Sequence, residues 1–307
     1  MDDREANTPS MTRRKILSTG ALAATAAFTG AAAPESHGQT ARNKPKNMHV
    51  SLAAYSMRQA LTKGNMDLFK FIDWCAELDL RGTELTSYYF KEGFNTSYLQ
   101  ELKHRAFDQG VTVSGTAVRN NFCLPPGEEK QKWIDHVKHW IDYSAEFFAP
   151  HIRIFAGTLQ DGVDKNQGIK WVADGIRECL GHAAERGIYL GIENHGGITA
   201  RAADHLAICD AVGEHPWFGI NLDTGNYRTN AYDELAMSAP RAVNVQVKVE
   251  VFESDGGPKV LADLERLRNI LVKADYKGWV ALEYEAAGDP TVEIPMYVKR
   301  LKELFET

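Results

Sequence analysis

Acidic side chains follow three apolar segments of the chain, each at the point where the segment ends. Residues 188–193 end on Glu193, and the chain then continues through an amide, an imidazole and two glycines. The same form recurs at Asp223, which precedes Thr-Gly-Asn, and at Glu283. Carboxylates at the C-terminal ends of strands are where α/β barrels keep their chemistry. The three segments therefore predict strands that deliver an acidic site.

A fourth segment adds Gln246 and Lys248, which share one face of a strand because side chains alternate along it. If the strand ends face inward, four oxygen-bearing side chains converge there: Glu193, Asp223, Gln246 and Glu283. Oxygen donors of this kind suit a hard or borderline divalent cation. The alternative is that the acids are structural salt-bridge partners at the rim of a barrel.

These segments belong to a strand-then-helix alternation, which is typical of a parallel sheet with crossover helices. The predicted strands are residues 49–55, 82–86, 111–117, 151–155, 188–193, 217–223, 242–248 and 279–284. The predicted helices are about residues 66–78, 97–109, 128–147, 169–186, 202–212, 232–237, 261–274 and 292–305. An open doubly wound sheet usually has a Gly-rich phosphate turn after its first strand, and this chain has none. The pattern predicts a single-domain (β/α)8 TIM barrel.

Length and charge agree with that prediction. The chain has 307 residues, enough for one α/β barrel of about 250 residues and a short leader. Hydrophobic residues make up 44% of it, which suffices for a large core. Its 41 acidic residues outnumber its 35 basic ones, which argues against a nucleic-acid partner.

The N-terminus predicts export. Arg13 and Arg14 precede a weakly apolar run rich in Ala and Gly, as in a twin-arginine signal peptide, although a disordered basic tail is the alternative. The run is too short and too rich in small residues to span a membrane, and no cysteine before Cys75 could carry a lipid, so we expect no stable membrane anchor. We predict a signal peptide over residues 1–33, a flexible linker over 34–47 and the barrel over 48–307. The Tat translocon is the expected partner during export, and the periplasm or the exterior is the expected destination.

The order of the acidic strand ends resembles the xylose isomerase-like TIM-barrel superfamily of sugar isomerases and epimerases. The motifs are ENHGG, then LDTGN, then a V-x-V-K strand, then GWVALEYE. The resemblance covers about residues 48–307. Its most specific pieces are residues 191–197, 221–226 and 278–285.

The resemblance implies a divalent metal held by Glu193, Asp223 and Glu283. The seventh-strand ligand of the family is usually a histidine, and this chain has Gln246 in its place. A neutral amide oxygen shifts the expected preference from zinc towards manganese, magnesium or calcium. His195 is a candidate replacement for the missing imidazole.

The resemblance also implies a reaction. Glu193 and Glu283 would act both as ligands and as proton carriers on opposite faces of a ketose, with an enediolate stabilised by the cation. The expected function is an exported, divalent-metal-dependent sugar isomerase or epimerase acting on a free sugar or keto-sugar. A 3-keto-glycoside lyase or hydratase using the same enolate is one alternative, and a non-catalytic sugar-binding barrel is another.

Further polar side chains have two interpretations each. His195 is a proton donor, ligand or substrate contact, or else a hydrogen-bonded loop histidine. Lys248 either polarises a sugar oxygen or neutralises the acids. Glu84 either faces the pocket or is a buried partner of an arginine. Asn121 and Asn226 are candidate binders of substrate hydroxyl groups.

Aromatic residues follow several predicted strand ends. They can stack on a sugar ring or pack the loops: Tyr55, Tyr88, Tyr89, Phe122 and Tyr227. Tyr55 is the one we assign to substrate binding. Exposed aromatics at the rim would also permit a homodimer.

Overall fold

The computed structural model describes residues 48–306, so the predicted signal peptide and linker lie outside the described residues. The strands are β1 His49–Ala53, β2 Gly82–Thr86, β3 Thr112–Ala117, β4 His151–Ile154, β5 Tyr189–Glu193, β6 Phe218–Asp223, β7 Ala242–Val247, β8 Glu250–Phe252, β9 Lys259–Leu261 and β10 Trp279–Leu282. Eight of them form a closed parallel barrel in the order β1-β10-β7-β6-β5-β4-β3-β2. The predicted (β/α)8 barrel is therefore confirmed.

Helices surround the barrel and connect its strands. They are α1 Arg58–Thr62, α2 Leu68–Glu77, α3 Thr96–Asp108, α4 Glu128–Glu146, α5 Lys165–Arg186, α6 Ala202–Val212, α7 Ala231–Ser238, α8 Leu264–Lys273 and α9 Pro290–Phe305. An Asp or Asn side chain caps the first turn of several of them, as Asp67 does for α2 and Asp164 for α5. Such a cap accepts a hydrogen bond from a free backbone N–H and so defines where the helix begins. No helix among the described residues is long and apolar enough to cross a bilayer.

Two elements between β7 and α8 differ from the predicted pattern. β8 and β9 pair antiparallel and form a two-stranded sheet outside the barrel. No element was predicted over residues 249–260, because strands of only three residues leave little pattern in the sequence.

The inside of the barrel contains polar as well as apolar side chains. Glu84, Asn221, Asn244 and Gln246 come from β2, β6 and β7, and each of these four side chains is at most 2% exposed. The apolar residues of the same strands, such as Leu222 and Val245, are buried in the hydrophobic core. This alternation places polar groups in the barrel below its C-terminal rim.

Candidate active site

Four predicted site residues lie at the C-terminal ends of their strands. Glu193 and Asp223 are the last residues of β5 and β6, and Lys248 and Glu283 directly follow β7 and β10. All four side chains are buried. Because these strands are consecutive around the barrel, the structure brings the four groups to one side of its mouth.

Lys248 lies at the centre of an acidic cluster. Its Nζ is 2.6 Å from Glu285 Oε2 and 3.3 Å from Asp223 Oδ2, and it also forms an ion pair with Glu283. Burial alone would lower the pKa of the ammonium, but the surrounding carboxylates raise it well above its usual value. Lys248 is therefore charged at neutral pH and offsets part of the negative charge of the acids that it contacts.

Asp223 is the most deeply buried member of this cluster. Its Oδ1 accepts a hydrogen bond from the backbone N–H of Gly225 at 2.8 Å. Burial raises the pKa of Asp223 well above its usual value, and although Lys248 opposes the shift, the charges of Glu193 and Glu283 reinforce it. One ammonium faces three carboxylates, so Asp223 is the acid that most readily retains a proton.

Glu193 belongs to a second group of contacts. Its Oε2 lies 2.8 Å from Arg153 Nε, and its Oε1 contacts His195 Nδ1 at 2.6 Å and accepts from Asn226 Nδ2 at 2.8 Å. Burial alone would raise the pKa of Glu193, but the Arg153 guanidinium and the His195 hydrogen bond outweigh it and lower that pKa to about 2. Glu193 is therefore an anion that holds three neighbours in place.

The loop after β5 fixes the His195 ring. The hydroxyl of Thr199 accepts from the His195 backbone N–H at 3.0 Å and donates to the Glu193 carbonyl at 3.1 Å. The chain turns here through two glycines with positive φ, and a Cβ on Gly197 would lie 2.5 Å from the carbonyl oxygen of Gly157. The His195 ring packs on Phe155 with centroids 4.2 Å apart, and its side chain is 55% exposed. An oriented imidazole thus faces the open side of the site.

Gln246 and Glu84 have different surroundings from those predicted. Gln246 Nε2 donates to Glu84 Oε1 at 2.6 Å, and Gln246 Oε1 accepts from Asn221 Nδ2 at 2.7 Å. Asn244 Nδ2 donates to Asn221 Oδ1 at 2.8 Å and contacts Glu84 Oε2 at 3.1 Å, which closes a ring of four side chains. Burial and the charge of Glu283 raise the pKa of Glu84 to about 8.

This ring bears on two of the predicted assignments. The amide oxygen of Gln246 already accepts a hydrogen bond inside the barrel, so the geometry does not support its predicted role as a ligand. Glu84 is 1% exposed and both its oxygens are hydrogen-bonded, so it is not placed to bind substrate. Its partners are two amides rather than an arginine.

The remaining predicted residues divide between the rim and the interior. Asn226 lies beside Glu193, and the Tyr55 ring lies 6.0 Å from Lys248 Nζ. Asn121 is bound within its own loop, where its Oδ1 accepts from the Cys123 N–H at 3.1 Å. Phe122 and Tyr227 are fully buried, so they pack the interior and do not stack on a ligand.

Three residues of the site were not assigned to it from the sequence. Arg153 lies in β4 and Glu285 follows Glu283 by two residues, so both could have been found. A charge within a buried strand requires a buried partner, and alternation puts Glu285 on the same side as Glu283. Phe155 is the third, and its role depends on the loop that carries His195.

Comparisons with known proteins agree with this fold. A family model described as xylose isomerase-like TIM barrel matches residues 72–304. A comparison with curated proteins finds no match.

Similar solved structures include a D-psicose 3-epimerase in the presence of D-fructose, with 14% identity and a TM-score of 0.68 over 85% of this chain and 100% of that one. Another is 3-keto-D-glucoside 4-epimerase from E. coli, with 15% identity and a TM-score of 0.65 over 84% and 100%. The IolI protein with a bound zinc atom shows 14% identity and a TM-score of 0.69 over 84% and 98%. At these identities the likeness establishes the fold.

The side chains present do not fit the divalent metal that the resemblance implies. Among residues 48–306 no cluster of three or more His, Cys, Asp and Glu side chains has the arrangement of a metal site. Asp223 Oδ2 accepts no hydrogen bond within this part of the chain, but its nearest cation is the Lys248 ammonium. Glu193 is neutralised by Arg153, and Gln246 is engaged inside the barrel. The three predicted carboxylate ligands are therefore paired with the chain's own cations, and the amide is hydrogen-bonded inside the barrel.

Proposed function

The chain belongs to the xylose isomerase-like TIM-barrel family, and from that premise we propose that it is a carbohydrate isomerase or epimerase. Its proposed reaction moves a proton at the carbon next to a carbonyl of a free sugar or keto-sugar. The named epimerases among the similar structures support a substrate of this class.

The observation that carries the proposal is the pairing of acid–base groups with a buried cation at the C-terminal rim. Glu283 directly follows β10, and the Glu193–His195 pair lies at the end of β5. These two strands are three positions apart in the eight-stranded barrel, so the two groups nearly face each other. Lys248 lies between them in the strand order. A substrate at the mouth would thus meet proton carriers on two sides and a positive charge in the middle.

The chemistry follows from these positions. Glu283 is suited to remove the proton next to the carbonyl, because it is a carboxylate at the edge of the mouth. The negative charge that develops on the carbonyl oxygen would be stabilised by the buried Lys248 ammonium. His195 can return a proton from the other side, since Glu193 holds one ring nitrogen and the ring is more than half exposed. Return to the same carbon gives an epimer, and return to the neighbouring carbon gives an isomer.

Solvent deuterium exchange tests this proposal. Candidate keto-sugars are incubated with the protein in D₂O, and deuterium at the carbon next to the carbonyl is followed by NMR. We expect incorporation with at least one of them, and a loss of about 100-fold or more in Glu283→Gln. Binding of these sugars without deuterium exchange would indicate a non-catalytic sugar-binding barrel. Exchange with release of an aglycone would indicate a lyase.

We also propose that the protein is exported, on the strength of Arg13 and Arg14 and the run that follows them. The full chain produced in a bacterium with a twin-arginine translocon should appear in the periplasm, shortened by about 33 residues. Arg13→Lys combined with Arg14→Lys should keep it in the cytoplasm at full length. Unprocessed wild-type protein in the cytoplasm would contradict export.

A further inference from the structure

We propose that the Lys248 ammonium takes the place of a divalent cation, so that this site binds no catalytic metal. The chemical part of the inference rests on the proposed function, whereas the binding part stands on the geometry alone. The inference departs from the family resemblance, which implies a metal at this site.

The Lys248 ammonium lies where the resemblance would place a metal ion. Nζ contacts Asp223, Glu283 and Glu285, and the first two are residues to which the resemblance assigns the metal. A divalent ion on these oxygens would be opposed by the ammonium, because the repulsion between the two cations at contact distance in a buried site is large. Metal binding would therefore require Lys248 to leave the cluster.

The surrounding loop holds Lys248 in this position. Its side chain is 6% exposed, and its backbone N–H donates to the Thr224 hydroxyl at 2.9 Å. The loop after β6 packs closely on its stem, since a Cβ on Gly225 would lie 2.5 Å from Lys248 Cγ. An ammonium moved from this position would leave three carboxylates facing one another.

Glu193 and Gln246, the two remaining members of the predicted ligand set, already have other partners. Glu193 has the Arg153 guanidinium on one oxygen, and His195 and Asn226 on the other. Gln246 offers its amide oxygen to Asn221 and its amide nitrogen to Glu84. The oxygens left for a cation are therefore the carboxylates of Asp223, Glu283 and Glu285, which Lys248 occupies.

A lysine can supply the electrostatic part of the chemistry at such a site. The ammonium is a compact charge with three hydrogen-bond donors, and it can both attract and hydrogen-bond an enediolate oxygen. It differs from a divalent ion because it cannot be removed by a chelator.

The test is a metal titration of the purified full chain. Metal content is measured by mass spectrometry after dialysis, and MnCl₂ and ZnCl₂ are then titrated by calorimetry and by thermal unfolding. We expect wild type to hold far less than one equivalent of either metal and to show no shift in Tm. Lys248→Met should acquire a site for Mn²⁺, and saturating MnCl₂ should raise its Tm by several degrees.

Two control variants make the result specific. Lys248→Arg keeps the charge and should remain unable to bind Mn²⁺. Lys130→Met removes another buried lysine, whose ammonium contacts the Trp171 carbonyl on the outer helices, and it should acquire no site either.

Each remaining outcome bears on the inference. Stoichiometric Mn²⁺ or Zn²⁺ in wild type would overturn it, even if Lys248→Met does not fold. A folded Lys248→Met that binds no metal would also overturn it, because some other feature would then exclude the cation. Absence of deuterium exchange with all sugars would count against the proposed function and would leave the metal result unchanged.

Discussion

At the scale of single residues, the site depends on two buried cations and the acids that they contact. Lys248 contacts Asp223 at the end of β6 and Glu283 after β10, and Arg153 pairs with Glu193 at the end of β5. Buried charges are costly unless they are paired, so each carboxylate constrains its partner as much as it serves the reaction. A substitution of any one of them therefore affects both stability and catalysis.

Glu193→Gln is expected to impair catalysis more than folding. The amide keeps the shape of the carboxylate but loses the charge that attracts Arg153 and the anionic oxygen that contacts His195 Nδ1. We expect kcat/KM for the exchange reaction to fall by about 100- to 10,000-fold, the usual contribution of an acid–base group. The free energy of unfolding should fall by up to about 3 kcal/mol, because Arg153 stays buried without its counter-ion. Wild-type kcat/KM in this variant would refute the role given to the Glu193–His195 pair.

Glu84→Ala is expected to impair folding more than catalysis. It leaves the amide groups of Gln246 and Asn244 without their acceptor inside the barrel, and each lost partner costs about 1–3 kcal/mol. Urea unfolding measures this loss, and the Kd for the sugar should stay within about threefold of wild type, since Glu84 is not exposed. Glu92→Ala, at an exposed position, is the control. Unchanged stability together with lost sugar binding would show that Glu84 contacts the substrate, as the sequence predicted.

At the scale of elements, the loops after the strands set the positions of the functional groups. The loop after β5 turns through Gly196 and Gly197 and presents His195, and the loop after β6 packs on Lys248. These contacts are close enough to be disturbed by a single methyl group.

Gly225→Ala should displace Lys248 without changing a charge. The added Cβ would lie 2.5 Å from Lys248 Cγ, so either the loop or the lysine must move. We expect the exchange rate to drop by about tenfold or more and stability to fall by about 1–3 kcal/mol. Gly181→Ala is the matched control, because it lies in α5 with no atom within 4 Å of its added Cβ. An unchanged exchange rate in Gly225→Ala would show that the position of Lys248 is not limiting.

Much of this element-level description could be predicted from the sequence. Alternation and the acids at the ends of apolar runs located the barrel strands and the rim. Helix starts were predicted less accurately. The apolar pattern of α5 begins at residue 169, but the helix begins four residues earlier at Lys165, directly after its cap Asp164. The direction of the Gln246 side chain could not be predicted at all, because its partner Glu84 is 162 residues away in the chain. Side-chain pairing across a barrel depends on the closed fold, which no local pattern contains.

At the scale of the whole molecule, buried neutral histidines link stability to pH. His205 is fully buried beside the Tyr227 hydroxyl, and burial lowers its pKa to about 4. Between pH 6.5 and about 4 the unfolded chain binds a proton that the folded chain does not, so stability is lost as pH falls. His151, with a pKa lowered to about 3 by burial and by Arg153, acts in the same direction.

We expect His205 to contribute about 2 kcal/mol of the stability lost between pH 7 and pH 5. Urea unfolding at the two pH values measures the loss, which should shrink by that amount in His205→Gln. His104→Gln, on an exposed face of α3, should leave it unchanged. An identical loss in wild type and His205→Gln would mean that His205 is already protonated or not buried in solution.

We propose that the side chains at the C-terminal rim transfer the sugar proton and that Lys248 serves as the cation. The most direct measurement is the rate of deuterium incorporation into a keto-sugar by chelator-treated protein, before and after MnCl₂ is added. We expect a measurable rate without metal, no increase with Mn²⁺, and a loss of about 100-fold or more in both Glu283→Gln and Lys248→Met. Exchange that appears only when Mn²⁺ is present would contradict it.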